Sequence, residues 1–194
     1  MSKELVHAII TGTLSAREDP RWQESGAESL DEYDFWSWRC CGMACLNMAL
    51  DHWMGLTQPT VTLAKECMAS GGYIHKDGRL IGLIYRPFAN WVEERYALPA
   101  AVHTELTVGQ IQHAVAEGKL VMASVHPDIR WPDRSAPGQG GHLVLVAKAD
   151  DNHLYLNNPS GIAGVSQEYA PVTTHDFTRF FAGRGVILSP PRGS

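Results

Sequence analysis

The chain changes its hydrophobic period part-way along, and that change limits its fold more than any other feature. In the first half, apolar residues recur at spacings of three and four. Met43, Leu46, Leu50, Trp53 and Met54 mark one face of an amphipathic helix, and Gly55 follows where such helices commonly end. The pattern predicts a helix beginning at about Gly42, with Cys41 at its N-terminus. Further helices are predicted over 60–70, 88–96 and 107–117, the last capped by Thr107 and stopped by Gly118. Beyond that glycine the apolar runs are short and almost uninterrupted. Strands are predicted over 120–125, 142–147 and 153–157, the last two joined as a hairpin by Asp150, Asp151 and Asn152. Another strand over 185–189 stops at Pro190 and Pro191. Residues 15–35 are polar and turn-rich, which predicts a surface loop with one helical turn. Helices first and antiparallel strands second argue for an α+β domain rather than a parallel βαβ sheet.

Composition narrows the function classes. The 194 residues fit one domain over 1–194, with 44% hydrophobic and 19% charged residues, as in ordinary soluble proteins. The formal charge of -5 and the absence of a Lys/Arg run argue against a nucleic-acid partner. The first ten residues lack the apolar stretch of a secretory signal, and no run of about 18 apolar residues exists to span a membrane. A cytoplasmic location is the expectation. Cys40, Cys41, Cys45 and Cys67 do not form the paired spacings of a zinc site, so neither a metal nor another cofactor is expected.

Cys41 at a helix N-terminus meets the first requirement of a nucleophilic thiol, because the partial positive charge there favours the thiolate. Taken alone, it reads as readily as a small buried residue. His142 follows Gly140 and Gly141 at the mouth of an apolar strand, and Asn158 ends the next strand before Pro159. Antiparallel pairing brings those two strand ends together, as a base and its orienter require. Arg130, Arg134 and Gly141 are candidates to line a substrate cleft, with Arg130 or Arg134 meeting an acidic substrate group. The run Gly71-Gly72-Tyr73-Ile74-His75 is another candidate wall.

Cys41-Gly42-Met43-Ala44-Cys45-Leu46-Asn47-Met48 resembles the Cys-Gly-Pro-Ala-x-Leu-x-Met signature of the bacteriocin-processing peptidases, the thirty-ninth cysteine peptidase family. Gly141-His142-Leu143-Val144-Leu145-Val146 is similar to that family's histidine strand, and Leu154-Tyr155-Leu156-Asn157-Asn158-Pro159 to its third motif. The resemblance spans roughly residues 36–160. It implies a papain-like fold with Cys41 as nucleophile, His142 as general base and Asn158 in place of the family's Asp. An Asn accepts the imidazole N–H bond but adds no negative charge. Relatives usually carry a Gln shortly before the cysteine as an oxyanion donor. Positions 35–39 hold none, which leaves Gln23, Trp36 and Trp38 as candidates.

These readings lead to acyl transfer through a thioester on Cys41, acting on a peptide or on an amide- or ester-type small molecule. Alternatives are an acyltransferase or tailoring enzyme with the same triad, and a non-catalytic papain-fold module that binds peptides. The sequence leaves the oligomeric state open.

Overall fold

The computed structural model describes residues 16–76 and 79–191. The N-terminal ten residues, on which the signal-peptide reading falls, lie outside them. Short 3-10 turns at Ala16–Glu18 and Trp22–Ser25 lead into helix α1 (Leu30–Ser37). Ser29 caps α1 by accepting from the Glu32 N–H, and the Glu32 carboxylate accepts from the Glu28 N–H. That Ser-x-x-Glu spacing is a helix-start signal. It lies inside the stretch expected to be a loop, so the expectation is corrected here: α1 has its own apolar face, with Tyr33 and Trp36 in the core.

Helix α2 (Cys41–Met54) ends as the pattern predicts. Gly55 adopts φ 61° and its N–H bonds to the Asp51 carbonyl at 3.0 Å. Helix α3 (Thr60–Ala69), a two-stranded hairpin of β1 (Ile74–Lys76) and β2 (Arg79–Ile81), and α4 (Tyr85–Tyr96) follow. Helix α4 starts three residues before its predicted start. Pro87 is tolerated there because first-turn N–H groups have no intrahelical partner.

The second half is a six-stranded antiparallel sheet in the order β3 (Ala100–His103), β8 (Phe181–Leu188), β4 (Leu120–Val125), β5 (His142–Ala149), β6 (His153–Asn157) and β7 (Ala170–Thr173). Helices α5 (Val108–Ala116) and α6 (Thr174–Phe180) interrupt the strands in sequence. Alternate residues of β4 take opposite sides. Leu120 and Met122 join the core formed with α1 to α4, while Val121, Ala123 and Val125 pack with α5 and α6. Both faces are covered, which is why β4 reads as a continuous apolar run rather than an alternating one. Each large side chain fully buried in these layers contributes about 1.5–3 kcal/mol.

Strand β8 is longer than its predicted core at 185–189. Gly183 and Gly185 weaken the strand signal, but Gly185 lets β8 lie close to β4, since a Cβ there would overlap the Met122 carbonyl oxygen. Strand β7 carries Pro171 and sits at the sheet edge, where a missing N–H costs little. Among the described residues no helix is long and apolar enough to cross a membrane.

Candidate active site

Cys41 is the first residue of α2, directly after the cap residue Cys40. Its thiol is half-buried, whereas Cys40, Cys45 and Cys67 are buried, and all four are free. Burial pushes the Cys41 thiol above its usual pKa, opposed by hydrogen bonds from the Leu143, Gly42 and Cys41 backbone. Two of those groups belong to the first turn of α2, where N–H groups are otherwise unsatisfied. Cys67 is pushed further, to about 12, by burial. The Cys45 thiol is bonded to the Leu143 carbonyl.

His142 opens β5, 8% exposed, paired with Val125 at the end of β4. In the β5–β6 register Leu145 faces Asn157. Directly after β6 the chain turns, the Gly161 N–H bonding to the Asn158 carbonyl at 2.9 Å, and the turn carries Asn158 and Ser160 beside the start of β5. The side chains meet accordingly. His142 Nε2 lies 2.8 Å from Asn158 Oδ1 and 3.1 Å from Ser160 Oγ. The Ser160 backbone N–H also donates to Asn158 Oδ1 at 3.1 Å, which identifies that atom as the oxygen. His142 therefore donates Nε2–H to Asn158 and keeps its lone pair on Nδ1. Arg130 donates to Ser160 Oγ at 3.1 Å, completing a chain behind the imidazole. Asn158 is itself held by its backbone N–H on the Gln167 carbonyl at 2.7 Å.

Burial drives the His142 pKa down to about 4, the Asn158 bond opposing and the Arg130 charge assisting. With no carboxylate in the group, the Asn158 bond alone offsets the cost of an imidazolium, and only in part. Both shifts favour the uncharged forms, a thiol and a neutral imidazole.

Cys41 and His142 line the same cavity, of about 470 Å³. Gly141 lines it too, as do Trp38, Arg39, Leu83 and Arg184. The sequence candidates divide sharply. Of the three proposed oxyanion donors only Trp38 reaches the cavity. Trp36 is packed edge-on against Tyr73 in the core, and Gln23 is exposed on a 3-10 turn. Arg130 sits behind the imidazole, and exposed Arg134 lies over the Trp131 ring. Neither lines the cavity. The 71–75 segment does not line it either: Tyr73 is buried and donates to the Arg39 carbonyl at 3.1 Å. Its place is taken by Leu80, Gly82, Leu83 and Tyr85, after the hairpin turn. Sequence reasoning missed Ser160, which sits in the turn after Pro159, and the two arginines that do line the cavity.

The Peptidase C39-like family profile matches residues 21–183. No curated protein matches the chain. Among solved structures, a protein described as a C39-like peptidase from Bacillus anthracis superposes with TM-score 0.56 at 16% identity, covering 78% of this chain and 88% of that one. A double-glycine-motif protease from an AMS/PCAT transporter, solved with its leader peptide, gives TM-score 0.50 at 15% identity over 79% and 85%. The peptidase domain of Streptococcus ComA gives 0.50 at 12% identity over 78% and 92%. These likenesses show the fold, helices packed on an antiparallel sheet in the papain-like manner, and the family match covers most of the chain. The chain belongs to the Peptidase C39-like family.

Proposed function

We propose that the chain is a thiol-dependent hydrolase that cleaves a peptide or related amide through a thioester on Cys41. The observation that carries this reading is the His142–Asn158 bond at one side of a cavity that Cys41 also lines. In the first step Cys41 Sγ attacks the carbonyl carbon while His142 Nδ1 takes its proton. The tetrahedral intermediate collapses, the imidazolium protonates the leaving amine, and the acyl group stays on sulfur. Water then attacks the thioester, giving its proton to His142, and the acid departs with Cys41 restored as a thiol. Asn158 and Ser160 hold the ring so that Nε2 stays protonated and Nδ1 is the base.

The Cys41 N–H at the start of α2 supplies one oxyanion donor; Trp38 is the only one of the three sequence candidates for a second that borders the cavity, and its exposure makes its indole a weak one. Because both pKa shifts favour uncharged groups, proton transfer accompanies attack rather than preceding it. A peptide substrate is further supported by the leader-bound transporter protease with the same fold.

The test is acid-quenched mass spectrometry after mixing with an N-acyl-leucine p-nitrophenyl ester. Acyl mass on Cys41 is expected, lost in Cys41→Ala and strongly slowed in His142→Ala. Acylation spread over other residues, or unaffected by His142→Ala, would overturn the assignment.

A further inference from the structure

Two arginines, half-buried Arg39 and exposed Arg184, line the cavity that holds Cys41 and His142, and among the described residues no Asp or Glu does. Neither arginine forms an ion pair with a described Asp or Glu, whereas Arg17, Arg21, Arg95 and Arg179 all do. This is unexpected in a chain whose formal charge is -5. Arg39 is directed by its bond to the Phe35 carbonyl and by stacking over the Phe35 ring. Arg184 comes from the other half of the molecule, on β8, and lies across Gly140. Its Nη2 is 3.0 Å from where a Cβ at that position would stand. Gly140, at φ 81°, thus leaves room for a guanidinium beside the backbone that leads into His142. The remaining wall is largely apolar, with Leu83, Tyr85 and Val102.

We infer that this cavity is a recognition site for a carboxylate carried on an apolar acyl or peptidyl group, with Arg184 and Arg39 as its counter-charges. The inference rests on the proposed hydrolase reading and names its substrate class. Guanidinium forks match carboxylates in shape, and two unneutralised ones bordering a partly desolvated space raise the local concentration of anions. Neutral substrates of the same size gain nothing from them. The arginines select; they take no part in the bond-breaking steps.

Iodoacetate and iodoacetamide test this without a known substrate, because they alkylate the same sulfur and differ in one charge. The second-order rates at Cys41 are measured for both, at pH 8, by peptide mass mapping. Arg184→Gln is expected to lower the iodoacetate-to-iodoacetamide ratio by roughly 3- to 30-fold, as removal of one charge bordering the same cavity would. Arg184→Lys should restore part of it, and 1 M salt should lower it in the unmutated protein. A ratio unchanged in Arg184→Gln, while Cys41 is still alkylated first among the four cysteines, overturns this inference and leaves the hydrolase reading standing. Failure of both reagents to reach Cys41 overturns both.

Protection against iodoacetamide separates the two sources of carboxylate. N-acetyl-leucine presents a terminal one, and N-acetyl-Leu-Glu-Leu-amide a side-chain one. Protection by either beyond that of N-acetyl-leucinamide supports the site and names the source. Equal protection by the neutral amide overturns it.

Discussion

The cavity has two walls built on different principles. On the sheet side, His142 is held by directed side-chain bonds from Asn158 and Ser160, with Arg130 behind them. On the helical side, Cys41 is placed by the start of α2, packs against the helical core, and has its thiol bonded by backbone groups. Trp38 beside it is 67% exposed. The proposed base is fixed by a network and the proposed nucleophile by the fold. Damage to the first wall should therefore be graded, and damage to the second either total or slight.

The largest expected effect is on the helical wall. Cys41→Ala should remove acylation altogether, a loss of about 10^4-fold or more in hydrolysis, while the melting temperature changes little. A large stability loss instead would mean that Cys41 is chiefly a packing residue. Next is Gly161→Ala, which would place a Cβ 2.6 Å from the Gln167 Cα and overlap the Ser166 carbonyl. The loop carrying Asn158 and Ser160 must then shift. A cost of about 2–3 kcal/mol in urea unfolding is expected, together with reduced activity.

Acid should act through the sheet wall. His142 titrates near 4 in the folded chain against about 6.5 when unfolded, so the unfolded state binds the extra proton between those values. Stability associated with His142 is complete above pH 6.5 and falls as the pH drops toward 4, by about 3 kcal/mol. His142→Gln should flatten that portion of the stability profile. Activity should follow the same residue, with an ascending limb near pH 4 and no loss at pH 5–6. A limb near 6.5 would show that the imidazole is wetter than its burial implies.

Asn158→Ala should cost about 10- to 100-fold in kcat, since one strong buried bond of about 1.5–3 kcal/mol is lost. Asn158→Asp should raise the His142 pKa, because a carboxylate would stabilise the imidazolium. The smallest effect is expected from Trp38→Phe. A largely exposed indole is not a preorganised donor, so a change under about threefold in kcat should result. A loss of 100-fold would instead identify Trp38 as the second oxyanion donor.

The sequence made the three central residues legible because each sits at a local punctuation mark. Cys41 stands before an apolar 3.6-residue pattern, His142 before a strand, and Asn158 between a strand and a proline. Contacts that depend on register or on distant chain segments were not legible. Arg130 and Arg134 are close to His142 in sequence, yet a 3-10 turn at Pro127–Arg130 carries one behind the ring and the other outward. Arg184 reaches the cavity through β8, whose glycines hide the strand. The start of α1 was legible in the Ser29/Glu32 pair, and was obscured by the polar composition around it.

Asn158 in place of a carboxylate has a consequence for the lifetime of the site. Peroxide and other mild oxidants attack thiolates, and burial favours a thiol at Cys41 and an uncharged His142 ring in the same cavity. In the proposed mechanism, full nucleophilic strength arises only while a carbonyl is being attacked. A site held without charge gives up the constant readiness of an ion pair, and in exchange its sulfur endures between encounters with substrate.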